Sequence, residues 1–204
     1  MVINKDTYNT IRRLRMIRFG RRNGICPEFS NFYDAPVMYD GVTYRNNECA
    51  FQAQKTLDKG ERLKFRELSG SQAKQAGRKV LLRSDWDSIK YGVMVDLCYD
   101  KFNRDEKLKD ILLSTGNQWI LENTTGWHDN IWGACSCPRC NGKWSSNLLG
   151  RALMTARSRI RGDEGIPVSF VLNGEEFKFN LEELPKICGD SWYSVLDKIN
   201  RYAE

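Results

Sequence analysis

Glu48, Gln52 and Lys55 stand at i, i+4 and i+7 of a segment, about Asn47 to Leu57, that reads as a helix. A carboxylate, an amide and an amine would therefore share one helix face. Carboxyl and amine are the side chains of proton transfer and of attack on an electrophilic carbon. A solvated polar face would show the same spacing, but the neighbours argue against it. Cys49 and Phe51 are apolar, and the preceding turn supplies Tyr44.

A second constellation is Trp127-His128-Asp129-Asn130-Ile131-Trp132-Gly133. A carboxylate between two tryptophans could orient a sugar hydroxyl while the rings stack on a base or ribose. A Trp-anchored loop with Asp129 as a turn residue reads the same stretch equally well. The third signal is Cys135-x-Cys137-x-x-Cys140, three thiols within six residues. They suit a tetrahedral zinc site, yet a second Cys-x-x-Cys is absent. A fourth ligand would have to come from His128, Cys26, Cys98 or another distant residue, so the expectation is a reduced, metal-free loop.

These groups need elements to position them. Thr7 can cap a first helix with Ile11, Leu14 and Ile17 at three-residue spacing, ended by Asn23-Gly24. Ala35–Tyr44 reads as a hairpin around Asp40-Gly41. After the helix at 47–57, a short helix lies near Glu61–Leu68. Ser71 caps another to Leu82, and Asp85 opens a longer one to Phe102 with Trp86, Ile89, Val93 and Leu97 on one face. Asp105–Leu113 is helical and Gln118–Leu121 a strand. Glu122–Ser146 has no period and is a long loop of the kind that often carries function. Asn147 caps a helix to Ile160, Val168–Asn180 is a hairpin around Asn173-Gly174, and Ser191–Tyr202 is a closing helix. The expected fold is a single mixed α+β domain, mostly helical with short hairpins.

The chain has 204 residues, 41% hydrophobic and 28% charged, enough apolar side chain for one sizeable core. No apolar run reaches the ~20 residues of a membrane span, and Met1–Asn4 opens no secretory signal. Seven cysteines make a poor disulfide framework. The expectation is a cytosolic or nuclear protein with no membrane partner. Its net charge of +6 is local. Lys5, Arg12, Arg13, Arg15, Arg18, Arg21 and Arg22 face only Asp6 within residues 1–24, and the rest of the chain balances to zero. Such a patch is a solvated helix end, a transit peptide, or an arm that binds phosphates.

Five linked motifs, in order over about residues 28–161, resemble the NADAR superfamily, which includes the YbiA-like N-glycosidases. They are Phe29-Ser-Asn31-Phe32-Tyr33, the Tyr44–Lys55 segment, Trp86-x-x-x-Lys90-x-x-x-Met94, Trp127-His-Asp129-x-x-Trp132-Gly133, and Asn147-x-Leu149-Gly150-x-x-Leu153-Met154-x-x-Arg157. The chain departs from the family at Cys49, where histidine is common, in the cysteine-rich insert after Gly133, and in Lys143-Trp144-Ser145-Ser146, which replaces a glycine-rich approach. The resemblance divides the chain into a basic arm at 1–27, a catalytic core at 28–161, and a hairpin and helix at 162–204 packed on the same domain.

The resemblance implies hydrolysis of the bond between ribose C1 and a base nitrogen. It implies Lys55, Glu48 and Asp129 as catalytic residues, with Asn31, Phe32, Tyr44, Gln52, Trp86, Trp132 and Asn147 binding substrate, and no required cofactor. Known members remove ADP-ribose from guanine in nucleic acid, or act on phosphorylated intermediates of riboflavin synthesis. The basic arm favours ADP-ribosylated guanine in DNA or RNA, with a cognate ADP-ribosyltransferase as the implied counterpart. A small ribosylated phosphate metabolite is the alternative substrate. A non-catalytic ADP-ribose or NAD binder is a further alternative, because of Cys49.

Overall fold

The computed structural model describes residues 16–20 and 25–202. The helix capped by Thr7, with Ile11 and Leu14, falls outside them, as do Lys5, Arg12, Arg13, Arg15, Arg21 and Arg22. At residue 17 the expected helix gives way to a strand. β1 spans Met16–Phe19, and Met16, Ile17 and Phe19 are all buried. A strand covered on both faces reads as a nearly continuous apolar run, so it lacks the alternation that marks a half-exposed strand. That is why Ile17 can pass as the end of a three-residue helical repeat.

The fold is mixed α and β, about half helical with short strands, and forms two compact units. Residues 28–109 make one unit. Its hairpin pairs β2 (Val37–Tyr39) with β3 (Val42–Tyr44) around Asp40-Gly41, as the sequence predicts. Four helices follow: α1 (Asn47–Ala53), α2 (Lys59–Leu63), α3 (Gly70–Ala76) and α4 (Trp86–Arg104). Every residue of α1 is buried, an environment that disfavours its polar residues unless they are hydrogen-bonded. Asn46 caps α1 by accepting from Cys49 N at 3.1 Å, an interaction worth about 0.5–2 kcal/mol. Phe51 packs against Trp86 of α4 with ring centroids 4.9 Å apart, and Phe29 meets Phe102 edge-on at 5.7 Å. α3 begins two residues before the predicted cap. Ser69, not Ser71, forms a capping box with Gln72, and the helix stops at Ala76. α4 starts after Asp85 as expected, although the Asp85 side chain makes no cap bond.

The other unit comprises residues 16–20, 25–27 and 110–202 among those described. β1 runs parallel to β4 (Trp119–Glu122), and α6 (Leu148–Arg161) lies on β4; α5 (Glu106–Ser114) links the two units in sequence. Gly150 permits the close fit of α6, because a Cβ there would come within 2.1 Å of the Ile120 carbonyl oxygen. β5 (Pro167–Leu172) and β6 (Glu175–Asn180) form the predicted second hairpin. α7 (Leu184–Cys188), for which the sequence pattern gives no signal, and α8 (Trp192–Tyr202) end the chain. Trp119 is fully buried, donates from Nε1 to Asn200 Oδ1 at 3.1 Å, and meets Phe170 edge-on. No helix among the described residues is long and apolar enough to cross a membrane.

Candidate active site

In the unit of residues 28–109, the Glu48 side chain is 6% exposed and accepts from Gln52 Nε2 at 2.8 Å. The i, i+4 relation expected from sequence is therefore a real contact. Burial raises the Glu48 carboxyl above its ordinary 4.5, against the opposing pull of Gln52, Lys74 and Lys55. Lys55 stands one residue beyond the helix, because Gln54 closes α1. The turn is fixed by Lys55 N donating to Gln52 O at 3.3 Å and Arg83 N donating to Lys55 O at 2.8 Å. The lysine is half-buried. Desolvation lowers its ammonium below 10.5, the Glu48 charge opposes that shift, and Lys74 and Arg78 reinforce it. Glu48 is thus held toward its neutral form, and so is Lys55.

The shell around this pair contains predicted and unpredicted residues. Asn31 O accepts from Glu48 N at 3.0 Å. The side-chain oxygens of Asn31 and Gln52 are buried and accept nothing among the described residues, so a donor on a bound molecule would satisfy them. Phe32 is 43% exposed, with its ring over Gly70, where a Cβ would approach Phe32 Cγ to 2.8 Å. The exposed ring can stack on a planar group. Gly77 is not apparent from sequence; a Cβ there would come within 1.9 Å of Gln52 Oε1. Nor is Lys74, since a solvent-facing lysine on α3 carries no local signal of the charge it faces. Lys101 is a third. Its buried ammonium donates to Glu28 O at 2.6 Å and Ser30 O at 2.9 Å, which fixes the turn that presents Asn31. Burial pushes its pKa down to about 8.

Three other residues of this unit are held by packing or hydrogen bonds within it. Trp86 is buried against Phe51 and supports α1 from behind. The Tyr44 hydroxyl accepts from Gln54 Nε2 at 3.5 Å and lies in a concavity with Asp40, Lys59 and Arg62. Cys49, at the family's histidine position, is fully buried and donates its thiol to Leu68 O at 2.9 Å. Burial lifts that thiol to about 11, so it is a neutral packing group.

The remaining predicted residues belong to the other unit. Asp129 Oδ1 accepts from Ile131 N at 2.8 Å and Trp132 N at 2.9 Å, the geometry of a turn residue. Trp132 is partly exposed, and Trp127 is exposed. Asn147 does not cap α6. It adopts a left-handed φ of 48°, and its buried amide donates to Ile120 O and accepts from Glu122 N, at 2.8 and 3.1 Å. The α6 N-terminus is served instead by loop carbonyls, with Leu148 N donating to Ile131 O and Leu149 N to Trp132 O. The loop is thereby stitched to the helix that follows it.

A family model described as the NADAR domain matches residues 19–161. The N-glycosidase YbiA of Shigella flexneri serotype 5b is 36% identical over 136 residues, covering 65% of this chain and 81% of that protein. The chloroplastic riboflavin biosynthesis protein PYRR of Zea mays is 36% identical over 91 residues, covering 44% of this chain and 13% of that protein. The NMR structure of the E. coli protein YbiA superposes with a TM-score of 0.62 at 32% identity, covering 74% of this chain and 91% of that one.

Proposed function

The chain belongs to the NADAR domain family, and from that membership we propose that it hydrolyses N-glycosyl bonds through a transient imine between Lys55 and C1 of a ribose. The observation that carries this reading is a buried Glu48, held by Gln52, on the same short helix that Lys55 follows, with burial raising the carboxyl and desolvation lowering the ammonium. Neutral Glu48 donates its proton toward the departing base. The Lys55 amine forms a C–N bond to C1, and the C1–base bond breaks with its electron pair going to the base. The bond from C1 to the ring oxygen then breaks, its pair staying on the oxygen, which takes the proton that the amine gives up, and a protonated imine remains. The Glu48 carboxylate then takes a proton from water, which adds to the imine carbon and releases the sugar and the free amine. The net reaction consumes one water and yields base and ribosyl product. In a rival course, carboxylates alone support an oxocarbenium-like centre and no lysine bond forms.

The substrate we propose is ADP-ribosylated guanine in nucleic acid. Its support is the concentration of the whole net charge within residues 1–24, since nucleic-acid affinity comes largely from phosphate neutralisation. The similarity to the riboflavin biosynthesis protein PYRR favours a second substrate, a phosphorylated riboflavin precursor. Purified protein incubated with a modified oligonucleotide and with such a precursor, followed by mass analysis, decides between them. The expected products are ADP-ribose and the unmodified oligonucleotide. Neutralising Arg12, Arg13 and Arg15 should flatten the salt dependence, by about 0.7–0.9 in slope for each phosphate that the arm no longer neutralises. Turnover of the precursor alone would replace the nucleic-acid reading.

A further inference from the structure

We propose that His128, Cys135, Cys137 and Cys140 bind one Zn²⁺ in a closed tetrahedral site that clips both ends of the Asp129–Ala134 segment. The sequence motif lacks a fourth ligand, and the fold supplies it. His128 Nδ1 lies 3.6 Å from Cys135 Sγ, 3.3 Å from Cys137 Sγ and 3.7 Å from Cys140 Sγ. Cys135 and Cys137 sulfurs are 3.3 Å apart, and all four donor atoms fall within 4.8 Å of one another. With Zn–S of about 2.3 Å and Zn–N of about 2.0–2.1 Å, a tetrahedron has edges of roughly 3.5–3.8 Å. The three histidine–sulfur separations lie near those edges, the Cys135–Cys137 separation is shorter, and no pair of donors is more than 4.8 Å apart. They are far from the ~2.0 Å of a disulfide bond, and none of the three cysteines is bridged.

The ligand set selects the metal. Three thiolates and one imidazole are a soft, closed donor set that suits zinc and excludes hard cations such as Mg²⁺ or Ca²⁺. Four protein ligands leave no open position for water, so the site is structural.

The local backbone is organised around the cluster. His128 holds a left-handed φ of 62°, uncommon for a residue other than glycine, and its N–H donates to Thr124 O at 2.8 Å. Cys135 N donates to Asn130 Oδ1 at 2.9 Å. Cys137 to Cys140 close a tight 3₁₀ turn in which Cys140 N donates to Cys137 O at 3.0 Å. Cys135 and Cys140 are buried, Cys137 partly so, and His128 is exposed. A stretch this polar has little apolar burial to hold it, and an ion bound only by the folded form adds its binding energy to the fold. Because ligands sit on either side of Asp129 and Trp132, the metal fixes the segment that the family shares.

The test uses the full chain, purified without chelators from zinc-supplemented medium. Elemental analysis should find about one zinc per chain. Growth in cobalt medium should give thiolate charge-transfer absorption and the intense visible bands of tetrahedral Co²⁺. In competition with a chromophoric chelator, His128→Asn and Cys137→Ser should each weaken zinc binding by more than about 100-fold, beyond the effect usual for residues that only support a ligand. Cys188→Ser, outside the cluster, should keep full zinc. Should either ligand variant fail to fold, the zinc content and cobalt spectrum of the parent decide alone. Protein that carries no metal and takes up neither ion overturns the site. So does iron or copper in place of zinc, or full zinc affinity in both folded variants.

Discussion

The Glu48–Lys55 region and the loop from Asn123 to Asn147 achieve order by opposite means. The first is built on a short, wholly buried helix. Apolar packing of Phe51 on Trp86 and of Ala50 and Ala53 in the core holds it, and its few polar groups are desolvated. The second has little apolar anchorage beyond Ala134, Cys135, Cys140 and the contact of Trp144 with Tyr193. Backbone bonds from Asp129, Asn130 and Asn147, and the cluster around His128, do the holding. Packing shifts proton affinities, whereas polar stitching mainly sets shape. The proposed chemistry therefore falls in the first region, and the second is read as a positioning loop.

The largest effect that separates them is on turnover. Glu48→Gln should lower kcat by about 10²–10⁴, as expected for loss of a positioned acid/base group, and Lys55→Ala, which removes the nucleophile, should lower it at least as far. Glu48→Gln should retain the parent's melting temperature at acid pH. A variant within a few-fold of the parent would move chemistry away from this pair. Gly133→Ala should act instead on the loop. A Cβ there would sit 2.3 Å from Thr124 Cγ2 and 2.5 Å from Glu122 O, so overpacking should cost about 1–3 kcal/mol. Chemical denaturation measures it, and an unchanged midpoint would contradict the close packing assigned to this loop.

Gly77→Ala sharpens the contrast at smaller scale. It displaces the Gln52 amide, whose bond to Glu48 is worth about 0.5–1.5 kcal/mol. Activity should fall by up to about tenfold with little change in melting temperature. A large drop in melting temperature with unchanged specific activity would make Gly77 a folding residue only.

Much of the first region is legible in the sequence. The i, i+4 spacing of Glu48 and Gln52 is a local property, and the fold realises it. Lys55 reads as part of the helix because nothing in the sequence marks Gln54 as its end. Asn147 misleads for the reverse reason. Asparagine before an apolar run usually caps a helix, but here its amide is spent on the backbone of β4, more than twenty positions away in the chain. Lys101 and Gly77 are invisible on the same grounds. His128 is one of several candidate fourth ligands in the sequence, and only the folded loop selects it.

The pH profile gives the subtlest distinction. Glu48 has a folded pKa above 4.5, so it favours folding most at acid pH, and that advantage fades as pH rises through the folded pKa. The Glu48→Gln variant lacks this slope and should gain on the parent as pH rises. Lys55 has a folded pKa below 10.5, so its charged form opposes folding, a cost that disappears only above the unfolded value. For kcat/KM, one proton shared by the pair gives a bell. Its acid limb should lie above 4.5 and its alkaline limb below 10.5. Limbs at or outside those values would contradict the desolvation of this pair.

In the proposed mechanism Lys55 bonds to the sugar. Borohydride added during turnover of an ADP-ribosylated guanine oligonucleotide, followed by peptide mapping, tests it directly, because reduction makes an imine permanent. A ribosyl adduct is expected on the peptide containing Lys55 and is absent from Lys55→Ala. An active enzyme that yields no adduct, with a Lys55→Ala variant equally active, would contradict it and leave catalysis to carboxylates alone.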